Sequence, residues 1–271
     1  MKIDGQTEIY GIIGRPVAHS LSPAMHNAAF AALGLNKVYL AFEVEDVAGA
    51  LNGLRALGIR GASVTIPHKE SVLPYLDEVD PVAAKIGAIN TLICTEGRLR
   101  GLNTDWLGAN RALAEKLPLA GSRFLILGAG GSARAIGFGL LEAGAEITIA
   151  SRTPEKGQAL AKALDCPWLP LAEASGHRAD ALVNATSVGM SPLTEVIPID
   201  PNALAHFGVV MDIVYSPLTT RLLQEASAAG CQVINGLVML LYQGAAQFEL
   251  WTARSAPLEV MREALLAGMQ K

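Results

Sequence analysis

Residues Phe124 to Ala135 run Phe-Leu-Ile-Leu-Gly-Ala-Gly-Gly-Ser-Ala-Arg-Ala, an apolar stretch that breaks into glycines and then into helix formers. These types at this spacing suit a strand, a tight turn and a helix whose first backbone amides meet a phosphate. Gly128 permits the turn, Gly130 lets the main chain approach a pyrophosphate, and Ala133 keeps the helix close to the strand, with Ala129, Gly131 and Ser132 completing the loop. A second strand-like run, Ala145 to Ala150, ends in Ser151-Arg152-Thr153, with Lys156 shortly after. A carboxylate at that strand end would hold the ribose 2′-hydroxyl of NAD. None is present, and a guanidinium binds a 2′-phosphate through paired hydrogen bonds while its plane stacks on adenine. The segment therefore favours NADP over NAD. The competing reading is an ordinary glycine connector, and a solvated arginine ahead of a helix that Thr153-Pro154 starts.

The elements needed to position such a loop are present. Strand-like runs at 123–127, 146–150, 180–185, 209–213 and 232–235, with helices between most of them, predict a doubly wound Rossmann sheet. Ahead of it, Ile9–Ile13, Val38–Phe42, Gly61–Thr65 and Ile89–Ile93 read as strands, and helices are predicted from about Ser22 to Leu33 and Val47 to Leu57. This is an α/β unit with a mainly parallel sheet. Ser22-Pro23 reads as a helix start with the serine as N-cap, so that serine has a structural reading as well as a chemical one. A helix at about Thr104–Lys116 connects the units. Helical patterns from Gly236 to about Trp251 and from Pro257 to about Leu266 have no strand left to cross to and should return to the first unit. The predicted division is 1–105 with 238–271, and 106–237, with one cleft between.

Composition narrows the class. At 271 residues with 51% hydrophobic content the chain suits two domains, and no apolar run approaches the roughly 18 residues of a membrane span. Met1 to Gly5 lacks the apolar stretch of a signal peptide, so the expected location is cytoplasmic. Cys94, Cys166 and Cys231 form no CxxC pair, and His19, His26, His68, His177 and His206 show no ligand spacing; neither a disulfide framework nor a metal is expected. A net charge of −4 with scattered basic residues argues against nucleic acid as partner. A small molecule remains, bound by a monomer or homodimer.

Further segments carry more specific information: Ser20-Leu-Ser-Pro23, Val64-Thr-Ile-Pro-His-Lys69, Gly87-Ala-Ile-Asn-Thr91, Gly101-Leu-Asn-Thr-Asp105, Asn184-Ala-Thr-Ser-Val-Gly-Met190 and Gly236-Leu-Val-Met-Leu-Leu-Tyr-Gln243. In this order around the glycine loop, from Tyr10 to Trp251, the chain resembles the shikimate dehydrogenase family. The resemblance implies reversible NADP-dependent reduction of the ring ketone of 3-dehydroshikimate to shikimate, on the route to aromatic amino acids. It makes the first unit the substrate-binding and catalytic domain and places Lys69 and Asp105 at the reacting oxygen. It also implies that Ser20 and Ser22 hold the substrate carboxylate, while Thr65, Asn90, Tyr215 and Gln243 contact the carboxylate or ring hydroxyls. Ile213 and Gly236 would lie by the nicotinamide, with Met239 beside it.

The residue types suit that chemistry. A ketone receiving a hydride develops an alkoxide, which needs a proton donor and a positive charge; an ammonium supplies both. In the reverse direction a neutral Lys69 accepts the proton. Burial would lower its pKa for that role, whereas Asp105 would orient it and oppose the shift. Without the resemblance, Lys69 reads as a surface lysine, Asp105 as a helix cap, and Thr65, Asn90, Tyr215 and Gln243 as ordinary hydrogen-bonding or core residues. Two departures stand out: Ser63 and Ser151 occupy positions where many family members carry Asn, and both have shorter reach. Trp106 replaces a frequently small residue after Asp105. Competing functions are a quinate or dual quinate/shikimate dehydrogenase, a ligand sensor without turnover, and a general dinucleotide-binding scaffold.

Overall fold

The computed structural model describes residues 3–269; Met1 and Lys2 of the N-terminal stretch, and residues 270–271, lie outside it. The chain forms two compact units, one from the residues through Thr104 together with those from Gln243 onward, the other Asp105–Tyr242.

The first unit contains β1 (Glu8–Gly14), α1 (Ser22–Ala32), β2 (Lys37–Glu43), α2 (Val47–Ala56), β3 (Gly61–Val64), β4 (Glu78–Val79), α3 (Pro81–Ile86), β5 (Thr91–Thr95) and β6 (Arg98–Leu102). Its sheet has the order β2-β1-β3-β5-β6-β4. β1 is parallel to β2 and β3, and β4 to β6, whereas β5 runs antiparallel to both β3 and β6. The β5–β6 hairpin goes beyond the sequence reading. Its turn is Glu96-Gly97, with φ of 51° and 76°, the left-handed pair that matches strand twist in a two-residue loop. Ile13, Leu51, Val64, Ile89 and Leu92 lie within one buried cluster of this unit.

One local expectation is corrected. Ser22 is the first helical residue of α1 and not its N-cap; Leu21 holds that position and has no side-chain oxygen to cap with. Ser20 Oγ instead accepts from the Ser22 amide at 3.3 Å, meeting one of the helix's orphan donors from one residue further upstream.

The second unit holds α4 (Asp105–Ala114), β7 (Arg123–Leu127), α5 (Gly131–Glu142), β8 (Glu146–Ser151), α6 (Pro154–Leu164), β9 (Trp168–Pro170), β10 (Ala181–Asn184), β11 (Val209–Asp212), α7 (Arg221–Ala228) and β12 (Gln232–Ile234). The strands pair in parallel in the order β12-β11-β10-β7-β8-β9, which, counted within the unit, is the 3-2-1-4-5-6 order of a dinucleotide-binding sheet. Phe124 to Leu127 and Ala181 to Asn184 are buried along their whole length, as expected for central strands covered on both faces. α4 packs on α5: the Asn110 amide donates to the Gly139 carbonyl at 2.7 Å, and Trp106 meets Phe138 edge-on at 6.0 Å.

Two helices follow, α8 (Gly236–Thr252) and α9 (Leu258–Gly268). The start of α8 belongs to the second unit, where the Tyr242 hydroxyl donates to Glu115 and the Arg111 guanidinium lies 4.2 Å from the Tyr242 ring centre. From Gln243 onward α8 belongs to the first unit. There the Trp251 indole donates to the Leu92 carbonyl at 3.0 Å and lies 5.4 Å from Tyr10 and 5.2 Å from His26, while α9 packs on α1.

Candidate functional site

In the first unit the end of β3, the start of β5 and the second half of α8 bring a set of buried polar side chains together. Asn90 is the hub. Its Oδ1 accepts from the Thr104 amide and the Thr91 hydroxyl, both at 2.7 Å, and its Nδ2 donates to Gln243 Oε1 at 3.2 Å and Thr104 Oγ1 at 3.0 Å. Gln247, one helical turn after Gln243, donates to the Asn90 carbonyl and to Thr91 Oγ1, each at 3.0 Å. Its Oε1 accepts from Ser63 at 2.8 Å, and Ser63 accepts from the Tyr39 phenol at 2.6 Å. Burial pushes the Tyr39 phenol above its ordinary value, with hydrogen bonds to Ser63 and Ser22 opposing, so Tyr39 stays a donor. Ser63, flagged from sequence for its short reach, is thus occupied within the protein.

Thr65 follows β3, half-buried, its amide bonded to the Ile13 carbonyl at 3.0 Å and its carbonyl accepting from His68 at 2.9 Å. His68 is buried against the Val44 carbonyl at 2.8 Å, which anchors the turn carrying half-buried Lys69. The Lys69 carbonyl accepts from the Ile89 amide at 2.7 Å, tying that turn to the segment before Asn90. Ser20 is half-buried and Ser22 buried at the start of α1. Asp105 is the first residue of α4, buried, and one peptide bond beyond Thr104. Asp105 and Tyr215 belong to the second unit, and Lys69, Asn90 and Gln243 to the first.

The second unit supplies the glycine turn. Gly128 has φ of +117°, and a Cβ there would stand 2.9 Å from the Ala185 carbonyl, so only glycine fits. Gly130 is the N-cap of α5 and offers no side-chain cap; a Cβ there would meet nothing within 4 Å, so the space before the helix is open. Ala129, Gly131 and Ser132 are half-buried and Ala133 fully buried. Residues of these types around an open helix start fit a pyrophosphate. At the end of β8 the Ser151 hydroxyl donates to the Thr153 carbonyl at 3.1 Å and accepts from the Trp168 indole at 3.0 Å, while Arg152, Thr153 and Lys156 are exposed. Thr153 takes the N-cap position of α6 without a side-chain hydrogen bond. A cavity of about 630 Å³ lies here, lined by Ser151, Arg152 and Pro154 and by Ile197 to Pro201. Its carboxylate, Asp200, is turned to the Asn202 amide at 2.9 Å. Arg152 beside an apolar cavity fits adenine with a 2′-phosphate.

Gly236 opens α8, where a Cβ would collide with the Ile213 carbonyl; half-buried Ile213 and buried Met239 belong to the same unit. One further cluster was assigned no role from sequence. Asp212, at the end of β11 beside Ile213, accepts from Thr220 at 2.6 Å and from the Val214 amide and Asn184 at 3.0 Å. Burial pushes its carboxyl up to about 6 despite those bonds. Asn184 also accepts from the Thr186 hydroxyl at 2.6 Å and donates to the Val188 carbonyl at 3.2 Å, shaping the loop after β10. The spacing Asn184-x-Thr186, which favours local side-chain turns, was the available signal. For Gln247 it was the i, i+4 relation to Gln243. Among the described residues no cluster of three or more His, Cys, Asp or Glu is placed to hold a metal, and no helix is long and apolar enough to cross a membrane.

Fold and side chains together define a dinucleotide-binding α/β protein with an ordered polar cluster in its other unit. Family models for the shikimate dehydrogenase substrate binding domain, for shikimate / quinate 5-dehydrogenase and for the shikimate 5′-dehydrogenase C-terminal domain match residues 12–92, 111–195 and 236–266. The NADP(+) shikimate dehydrogenase of Moorella thermoacetica is 50% identical over 283 residues, covering 99% of this chain and 96% of its own. A shikimate dehydrogenase solved with NADP+ superposes with a TM-score of 0.93 at 42% identity, over 100% of this chain and 98% of that one. The enzyme of Thermus thermophilus, solved with NADP(H) and shikimate, gives 0.89 at 43% identity over 96% and 99%. The chain belongs to the shikimate dehydrogenase family.

Proposed function

We propose that the protein is an NADP-dependent oxidoreductase acting on a CH–OH group, which interconverts 3-dehydroshikimate and shikimate in the shikimate pathway to chorismate and the aromatic amino acids. The observation that carries the substrate side is the Asn90–Thr104–Gln243 cluster, whose amides are ordered by the protein itself and which leads directly into Asp105. Preordered polar groups lose little freedom when a polyol replaces water on them.

Asn90, Gln243 and Thr65 bind the ring hydroxyls, and Ser20, Ser22 and Tyr215 the carboxylate. NADP, when bound, supplies or takes up the hydride. Lys69 delivers a proton to the oxygen of the ketone as charge develops there, and in the oxidative direction neutral Lys69 accepts the proton of the hydroxyl. Asp105 orients the ammonium. The amides from Gly130 to Ala133 hold the pyrophosphate, Arg152 and Lys156 the 2′-phosphate, and Ile213, Gly236 and Met239 border the nicotinamide. The Ser151 hydroxyl holds Trp168 and the Thr153 backbone, so its part in binding is to shape the loop.

The reading assigns the protein to the cytoplasm, a setting that suits its three free cysteines. It acts as a monomer or a homodimer, states that light scattering distinguishes. The test of function is product identification: incubated with shikimate and NADP, the protein should form 3-dehydroshikimate and NADPH in equal amounts. NADPH formation without dehydroshikimate, or binding of both ligands without either product, would overturn it.

A further inference from the structure

The polar cluster of the first unit is a directed chain of hydrogen bonds, and its direction is fixed from both ends. At one end the Thr104 backbone amide donates to one oxygen of the Asn90 side chain, so that atom is Oδ1 and Nδ2 must face Gln243. Gln243 therefore turns its oxygen to Asn90, which makes its nitrogen, a double donor, the other end of the amide. At the other end the Asn90 backbone carbonyl can only accept, so the Gln247 atom on it is Nε2, and Gln247 Oε1 takes the single Ser63 proton, leaving Ser63 to accept from the Tyr39 phenol. Gln247 Nε2 then faces Asn90 O and Thr91 Oγ1, and the single Thr91 proton goes to Asn90 Oδ1. Between the two ends the Ser63 hydroxyl accepts once and donates once, and the Thr91 hydroxyl does the same beside a longer contact of 3.4 Å with Thr104 Oγ1.

Gln247 bonds to both halves of this chain and so joins them. It is 1% exposed and Thr91 0%, so water cannot take over a lost bond without a cavity opening. A buried amide or hydroxyl left unpaired costs more than the bond contributed, so the cluster is held in one arrangement rather than several.

We infer that Gln247, bonded to the Asn90 carbonyl and to Thr91, is a positioning residue that works together with the Thr104 amide to hold the Asn90 and Gln243 amides facing one way. Gln243 then meets the substrate with a donor, which suits an oxygen such as a ring hydroxyl. The inference rests on the proposed contacts of Asn90 and Gln243 with that substrate.

The test compares the parent with Gln247→Met, which keeps length and loses both polar ends, and Thr91→Val, which removes one hydroxyl and keeps the shape. In both, KM for shikimate should rise by about three- to ten-fold, with KM for NADP changed by less than about two-fold. In a Gln243→Ala background the further loss from Gln247→Met should largely vanish. Side-chain amide protons of Asn90 and Gln243, followed by NMR without ligand, should exchange slowly in the parent and much faster in Gln247→Met. Equal rises in both KM values, an unchanged KM for shikimate in folded Thr91→Val, full additivity with Gln243→Ala, or unchanged amide exchange would each overturn the inference. A parent that does not turn over shikimate would instead remove the proposed function, and the amide exchange would still decide whether Gln247 orders the cluster.

Discussion

Lys69 and Asp105 carry the chemistry in this account, and the two are expected to act as a unit. Lys69→Ala should lower turnover by roughly 10²- to 10⁴-fold while shikimate binding changes much less. Asp105→Asn should slow turnover too, and the double variant should be scarcely worse than Lys69→Ala, because an orienting carboxylate then has nothing to orient. Single-turnover rates of the three variants check this, and multiplicative losses would show independent roles. Arg152 belongs to the same scale: Arg152→Ala should reduce preference for NADP over NAD by roughly 10- to 150-fold, the effect of one charged hydrogen bond. Equal losses with both cofactors, in paired KM measurements, would contradict the assignment. Residues with an unusual type in a short motif were legible this way from sequence. The partners of Ser63, Gln247 and Asp212 were not: Ser63 stood out only as a departure and Gln247 only by its spacing from Gln243, and the significance of all three lies in the partners the fold gives them.

Among the elements, α1 and β11 each bury a titratable group, with opposite consequences. Burial pulls the His26 imidazole from 6.5 down to about 3, outweighing the opposing effect of the Gln247 side chain. The folded state stays neutral where the unfolded chain protonates. Stability present above pH 6.5 is therefore lost as pH falls towards 3, on the order of 4–5 kcal/mol over the whole window. Asp212 runs the other way: raised from 3.8 to about 6, it contributes stability below pH 3.8 that is lost as pH rises through 6, on the order of 3 kcal/mol. Between pH 7 and 4, urea-unfolding midpoints should fall faster in the parent than in His26→Phe, and more slowly in the parent than in Asp212→Asn. Parallel curves would contradict both assignments. Most elements were legible from periodicity and capping, including the two C-terminal helices. Those missed were β6, whose five residues alternate charged and apolar side chains only briefly, and three shorter or less regular segments. α3 has its Asp80 cap, its proline and its left-handed Gly87, but spans only Pro81–Ile86; β9 is three residues ending in proline; and β4 is two residues long. Pairing partners, not pattern, make strands of such segments. The N-cap assigned to Ser22 moved because helix starts are set by backbone geometry that sequence fixes only to within a residue or two.

For the molecule as a whole, the claim is that one chain joins a polyol-binding α/β unit to an NADP-binding Rossmann unit and oxidises shikimate specifically. The most direct measurement is an initial-rate matrix of shikimate and quinate against NADP and NAD. The account predicts the highest kcat/KM for shikimate with NADP, a lower value for shikimate with NAD, and the lowest for quinate with either cofactor. A higher kcat/KM for quinate than for shikimate, or for NAD than for NADP, would contradict it.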